Sequence, residues 1–363
     1  MSEIFVNGRF LGQKQTGVQR MATETVRALD GLLGEAAHRG LKVTMLAPAG
    51  TPSLGLKHIA MRHGGLFRGG YAWEQLDLPR LSAGGVLLNL CNLGPLAKRR
   101  QVVVVHDATP RVSPESFSRS FRTAYRVLIP LLGRIAARLV TISDFSRREI
   151  EQWYGIPAAR LALCAEGGEH ILRTPADPGL LQRHGLDGKP FFLAVGVGSR
   201  NKNTQLVAQA FERAKIAGAH LVMTGAREVR VHGDTGERSM ASEQVHYVGH
   251  VSDGELRALY EHALALVYPS RYEGFGLPPL EAMTCGCPVV ISDQAALLEI
   301  AGNSEAVLVT GMDDVEGLAG LLTQLAGDAA LRRRLSERGR AHAARFTWKN
   351  TAAILLDQCA DAG

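Results

Sequence analysis

The sequence holds few cysteines. There are five, Cys91, Cys164, Cys285, Cys287 and Cys359, an odd number with no Cys-x-x-Cys pair. That argues against a disulfide framework and a cysteine-based zinc site, and reads as small reduced thiols. No apolar run approaches the ~20 residues of a spanning helix. The opening MSEIFVNGRF has no basic stretch leading into an apolar one, so a cytoplasmic protein is expected. No segment recurs at a fixed period, which excludes a solenoid. GVGSRN, after the apolar FFLAV, lacks the third glycine of a dinucleotide fingerprint, which counts against an NAD-dependent oxidoreductase.

What is present is a globular composition, 46% hydrophobic and 21% charged, over 363 residues, a length that suggests two domains. Short apolar runs alternate with helix-length segments: EIFVNG, KVTMLAP, GVLLNL, QVVVVHD and RLVTIS, then FFLAVGV, HLVMTG, ALVYPS and CPVVISD. Continuous apolar strands separated by helices predict parallel sheets covered on both faces, an α/β fold twice over. Residues 169–190, rich in Pro, Gly and charge, read as the linker, which gives domains 1–172 and 173–345. Ligands of such sheets bind beyond the carboxyl ends of the strands, so two such domains facing each other would form a central cleft. From 331 onward two helices are expected, parted near Phe346 with Thr347 as an N-cap.

Charge is uneven. Residues 1–172 carry 22 Lys and Arg against 13 Asp and Glu, a balance of +9, and the remainder carries −3. A basic half suggests an anionic partner. No aromatic-interleaved recognition module supports nucleic acid.

The stretch YPSRYEGFGLPPLEAM sets Glu273 and Glu281 on either side of a Gly-Phe-Gly turn. Pro278 and Pro279 suit the first turn of a helix, so the N–H groups of Gly274, Phe275, Gly276 and Leu277 are expected to be exposed at its start as an anion site. Carboxylates repel a diphosphate, so the two acids are expected to accept hydrogen bonds from hydroxyls flanking one. A nucleotide sugar has hydroxyls on both sides, with ribose at Glu281 and the transferred sugar at Glu273.

This stretch resembles the retaining nucleotide-sugar glycosyltransferases of family four, whose hallmark is E-G-F-G-x-P-x-x-E-A-M. NGRFLGQKQTGVQRMA, VVVVHDATPRVSPESF, VTISDFSRREI, VGVGSRNKNTQLVAQAF, VGHVSDGELRALYEHALALVYPS and FTWKNTA are similar to further segments of that family. The resemblance spans nearly the whole chain. It implies a GT-B fold: an N-terminal acceptor-binding Rossmann-like domain, a C-terminal nucleotide-sugar-binding one, and a final helix, 346–363, returning to the N-domain.

Carried over by position, the resemblance implies that Lys202 and Arg200 meet the donor diphosphate, although the family more often has Arg where Asn201 stands. It implies that His106 hydrogen-bonds the sugar and stabilises an oxocarbenium-like transition state, with Asp107 beside it. Gly17 lets the backbone approach the donor, and Gly249 and Val251 lie near the base. The family retains anomeric configuration by front-face attack, the donor phosphate taking the acceptor's proton. No Asp-x-Asp is present to hold a divalent ion, so no metal and no other cofactor is expected.

Within the resemblance, TGVQR with the hallmark is most like mannosyl- and rhamnosyl-type polysaccharide transferases. GDP-mannose is the leading donor, with UDP-sugars and dTDP-rhamnose as alternatives. The expected acceptor is a glycan or lipid-linked saccharide in bacterial surface polysaccharide assembly. A nucleotide-sugar 2-epimerase shares the architecture, but the hallmark argues against it. Residues 114–140 carry Arg119, Arg122, Arg126, Arg134 and Arg138 among apolar residues, a pattern that suits either docking on an anionic inner leaflet or packing into the N-domain core.

Overall fold

Apolar runs become strands because β-branched and leucine side chains fill both faces of a sheet that helices cover. In the computed structural model, which describes residues 3–225, 243–302 and 304–363, they build two parallel sheets. The chain divides into two units. Unit 1 is Met1–Gly167 with Thr347–Gly363, and unit 2 is Gly168–Phe346.

Unit 1 has strands β1 (Ile4–Asn7), β2 (Val43–Ala47), β3 (Ala60–His63), β4 (Val86–Asn89), β5 (Gln101–Val104), β6 (Arg138–Thr141) and β7 (Leu161–Leu163), in the order 3-2-1-4-5-6-7. Unit 2 has β8 (Phe191–Val197), β9 (His220–Gly225), β10 (Val245–Gly249), β11 (Ala265–Tyr268), β12 (Val289–Ser292) and β13 (Val307–Thr310), in the order 10-9-8-11-12-13. Each order reverses once, between β1 and β4 and between β8 and β11. Each sheet is therefore doubly wound, with one switch point beyond its strand ends.

Two boundaries differ from the sequence reading. The stretch 169–190 is no free linker: it holds a 3-10 helix, Glu169–Arg173, and an α-helix, Gly179–Arg183, inside unit 2. The division falls at Gly167, ahead of the expected 172, because His170 is buried and bonded to Glu281 at 2.8 Å. A Cβ on Gly168 would lie 2.8 Å from both Leu280 Cγ and Thr284 Oγ1, so the chain enters unit 2 at a contact only glycine allows. At the other end Phe346 stays with unit 2, its ring edge-on to Phe275 at 6.2 Å.

The last helix, Trp348–Asp361, is capped by Thr347, whose side chain accepts from the Asn350 N–H at 3.2 Å. It packs on helix Gly17–Leu33 of unit 1. Thr351 Oγ1 donates to the Ala165 carbonyl at 2.7 Å, and Lys349 pairs with Glu35 at 2.8 Å. The basic segment forms one helix, Arg119–Ile135, with Tyr125, Ile129, Leu132 and Gly133 buried. Its apolar stripe belongs to the unit 1 core with Val103, Leu139 and Ile150. Of the two readings of 114–140, the structure takes core packing, because that stripe has protein to cover it.

Candidate functional site

At the unit 2 switch point the ends of β8 and β11 bring Lys202 and Glu273 together. At the end of β8 the chain turns through Gly196 and Gly198, both at positive φ, into the 3-10 helix Arg200–Lys202. A Cβ on Gly196 would meet Lys202 Cγ at 2.8 Å, so that glycine lets the lysine stem lie back along the strand end. Lys202 Nζ donates to Glu273 Oε1 at 2.6 Å and to Tyr268 Oη, and sits 4.8 Å from the centre of the Tyr268 ring. Tyr268 Oη donates to the same Glu273 oxygen at 2.9 Å, and Ser270 Oγ lies 2.5 Å from it. Burial, then the Glu273 charge, pushes the Tyr268 hydroxyl well above its ordinary range, so it stays a neutral donor.

Both side chains keep some exposure, 22% for Lys202 and 13% for Glu273. An ammonium has three N–H donors, and two are engaged here. The third is available to a ligand. The pairing also resolves the difficulty of a carboxylate near a diphosphate, since Lys202 compensates Glu273 before any ligand arrives. Arg200 is exposed two residues earlier.

Glu281 lies one turn into helix Leu277–Cys285 and is 5% exposed. One oxygen receives His170 Nε2 at 2.8 Å and the other the Tyr260 hydroxyl at 3.1 Å. A carboxylate oxygen can accept twice, so capacity for a further hydroxyl remains. The turn before this helix is a correction. Gly274, Phe275 and Gly276 are buried, and only Leu277 is partly open, where exposed N–H groups had been expected. Phe275 packs against Phe346, and Gly276, at φ +120°, lies so close to Leu297 that a Cβ would be 2.7 Å from Cδ2. Proline at 278 and 279 leaves no N–H there, so the helix start offers no donor beyond Leu277 in its first turn. Gly249, at φ +72°, ends β10, and Val251 precedes the capping box of Ser252 and Glu255. They lie two strands from the switch point.

In unit 1, β4 and β5 end beside each other. His106 follows β5 and is 3% exposed. Its Nε2 donates to the Leu90 carbonyl at 2.8 Å, and Nδ1 faces Glu166 Oε1 at 3.7 Å. Burial lowers the pKa of His106, but Glu166, the Leu90 carbonyl and Asp107 outweigh it and hold the ring above its ordinary value. Both nitrogens are thus engaged inside unit 1. Asp107 accepts from the Thr109 N–H at 2.8 Å and lines a pocket of about 550 Å³ with Arg9, Lys14, Asn92 and Tyr71. Gly17 is exposed at the first position of helix Gly17–Leu33, whose first turn holds no acid. No atom lies within 4 Å of a Cβ there, so packing does not demand the glycine.

Sequence reasoning passed over Tyr268, Ser270, His170, Tyr260 and Glu166. Tyr268 and Ser270 stand in YPS at a strand end, a signal that was available. The pairing of His170 with Glu281, 111 positions apart, leaves no mark in local sequence. Behind the unit 1 pocket Asn7 bonds Glu74 and Asn89, each at 3.0 Å, and Glu74 holds Arg9 at 3.2 Å. Among the described residues no group of three or more His, Cys, Asp or Glu is placed to hold a metal ion.

The family model described as glycosyl transferases group 1 matches residues 180–342. The chain is 34% identical over 266 residues to O-antigen chain mannosyltransferase B of Escherichia coli, covering 70% of this chain and 69% of that protein. It is 26% identical over 281 residues to the serotype-specific mannosyltransferase WbdA of Escherichia coli, of whose length it spans 33%. Sucrose-phosphate synthase from Thermosynechococcus elongatus superposes with a TM-score of 0.69 at 18% identity, over 98% of this chain and 97% of that one, which shows a common fold. With two doubly wound units and the hallmark turn at the second switch point, the chain belongs to the group 1 glycosyl transferases and has the GT-B fold.

Proposed function

We propose that the protein is a retaining mannosyltransferase that moves mannose from GDP-mannose to a glycan or lipid-linked saccharide in surface polysaccharide assembly. The observation that carries this reading is the Lys202–Glu273 pair at the unit 2 switch point. The mannose and the polysaccharide come from likeness to O-antigen chain mannosyltransferase B.

In this reading the donor diphosphate meets the third N–H of Lys202 and the guanidinium of Arg200. Fixed cations stabilise the charge that grows on the departing GDP and supply what a divalent ion supplies elsewhere. Glu273, held by Tyr268 and Ser270, accepts from a hydroxyl of the mannose, and Glu281 from the ribose. Gly17 gives the phosphates a close backbone. Gly249 and Val251 border the base. His106, buried with its ring engaged by the Leu90 carbonyl, acts from beneath the unit 1 surface beside Asp107. The acceptor hydroxyl attacks the face the nucleotide leaves, and the departing phosphate takes its proton. No side chain serves as covalent nucleophile.

Contact with an anionic leaflet rests in this reading on arginines alone, since the apolar stripe of helix Arg119–Ile135 is in the core. Such contact is reversible and weakens with salt.

The test is a panel of GDP-mannose, UDP-glucose and dTDP-rhamnose with a mannose-terminated acceptor, with and without EDTA, the product's anomeric configuration being read by NMR. Mannose transfer from GDP-mannose with retained α configuration, undiminished by EDTA, is expected. Transfer only from another donor, an inverted product, or activity abolished by EDTA and restored by a divalent ion removes the corresponding part of the proposal.

A further inference from the structure

A second pocket in unit 1, about 350 Å³, is lined by Pro110, Arg111, Pro114, Arg122, Thr123 and Arg126. Three guanidiniums converge on one concavity, and none has a carboxylate partner among the described residues. Like charges brought together without a counterion repel, so such a group suits an anion. Two of the arginines are also held in place. Arg122 donates to the Pro114 carbonyl at 3.2 Å, and Arg111 lies over the Trp153 ring at 5.5 Å. Arg111 Nε is buried with no hydrogen-bond partner.

This pocket adjoins the larger one, and Pro110 lines both. Helix Arg119–Ile135 presents a different stripe to each: Phe121 and Tyr125 to the larger, Arg122 and Arg126 to the smaller. Phe117 stacks on Phe121 at 5.1 Å, giving the larger pocket a flat aromatic wall next to the polar Asp107 and Asn92. An aromatic face with polar groups beside it suits a sugar ring, apolar on its C–H face and rimmed with hydroxyls. A planar fork of N–H donors suits phosphate.

We infer that the Arg111–Arg122–Arg126 pocket binds the phosphoryl group of a glycosyl phosphate or diphosphate whose sugar lies against the Phe117–Phe121 wall. The acceptor is then a saccharide phosphorylated at its reducing end, an inference that rests on the transferase reading for the word acceptor and on unit 1 alone for the binding.

Trp153 reports the event, since it is 36% exposed and touches Arg111, while Trp73 and Trp348 are buried. Titrations of mannobiose 1-phosphate and of mannobiose, at saturating GDP, are followed by tryptophan fluorescence and calorimetry. The phosphorylated sugar is expected to bind at least about tenfold more tightly, and Arg122→Ala with Arg126→Ala should erase that difference while leaving GDP affinity unchanged. Arg122→Lys keeps the charge but loses the fork, and should retain only part of the preference. Equal binding of the two sugars, or a preference that survives the double substitution, overturns the inference. So does arginine-dependent binding to phosphatidylglycerol vesicles without any response to the soluble phosphate, which would assign the pocket to a lipid surface. If the phosphorylated sugar binds as expected but receives no mannose, the transferase reading fails and the phosphate site stands.

Discussion

At the scale of single residues, Lys202 does two jobs whose separation can be measured. It neutralises Glu273 within unit 2 and offers one N–H outward. Lys202→Met keeps the stem but strands a partly buried carboxylate. A destabilisation of about 1 to 3 kcal/mol is expected, below the range for fully buried pairs because both groups retain some water, and urea unfolding reads it. Glu273→Gln keeps the hydrogen bonds of Ser270 and Lys202 and should cost less stability while lowering kcat with donor KM little changed. Equal losses in both parameters for the two variants would mean that the pair only supports the fold.

His106 gives a pH signature at the same scale. Its pKa is raised in the folded state, so between the unfolded and folded values the native protein holds more protons than the unfolded chain. Its contribution is therefore complete below the unfolded value, near 6.5, and is lost as pH rises through the folded one. Glu166→Gln removes the chief opposing charge. The melting temperature of the wild type should fall more steeply than that of Glu166→Gln as pH is raised through that window.

At the scale of elements, the helix that begins at Leu277 depends on a turn with no room. Gly276 combines φ +120° with a would-be Cβ 2.7 Å from Leu297 Cδ2. Gly276→Ala should destabilise unit 2 by about 2 to 4 kcal/mol, backbone strain and overpacking acting together. Gly17→Ala, in open space with helical backbone, should leave stability within about 0.5 kcal/mol and change only donor KM.

What the sequence disclosed about the elements follows from burial. All nine apolar runs became strands, and they fill the middle of both sheets. The four strands not foreseen are β3, β7, β10 and β13, which are the sheet edges. An edge strand is covered incompletely, so AMRH and VHYVG carry polar and charged residues and give no continuous apolar signal. The site behaved likewise. Lys202 and Glu273 were legible because each stands in a local motif beside a strand end. Glu281's partners were not, since they are set by the packing of the 3-10 helix at His170 and of the helix bearing Tyr260, Asp253–His262, against helix Leu277–Cys285. The buried Gly-Phe-Gly turn misled for the same reason: Phe275 needed an apolar neighbour, and Phe346 is 71 residues away.

At the scale of the whole molecule, the chain leaves unit 1 once and comes back once. Counted over the observed units, unit 1 holds 23 Lys and Arg against 14 Asp and Glu and unit 2 holds 18 against 21, so the basic balance follows the fold. The returning helix buries Trp348, Ala352, Leu355, Leu356 and Cys359. At about 1.5 to 3 kcal/mol for each large apolar side chain, Trp348, Leu355 and Leu356 together contribute on the order of 5 to 9 kcal/mol, an upper estimate comparable to the whole stability of a domain. Deleting 347–363 should therefore make unit 1 sensitive to limited proteolysis while unit 2 stays resistant. Equal resistance of both units would show that the helix is dispensable.

That return also orders events during synthesis. The ribosome makes all of unit 2 before the segment that completes unit 1, so the first-made unit gains its full set of helices last. While unit 2 is being made, the first-made sheet waits with an uncovered helix flank, and in that interval a nascent chain has its greatest need of a chaperone.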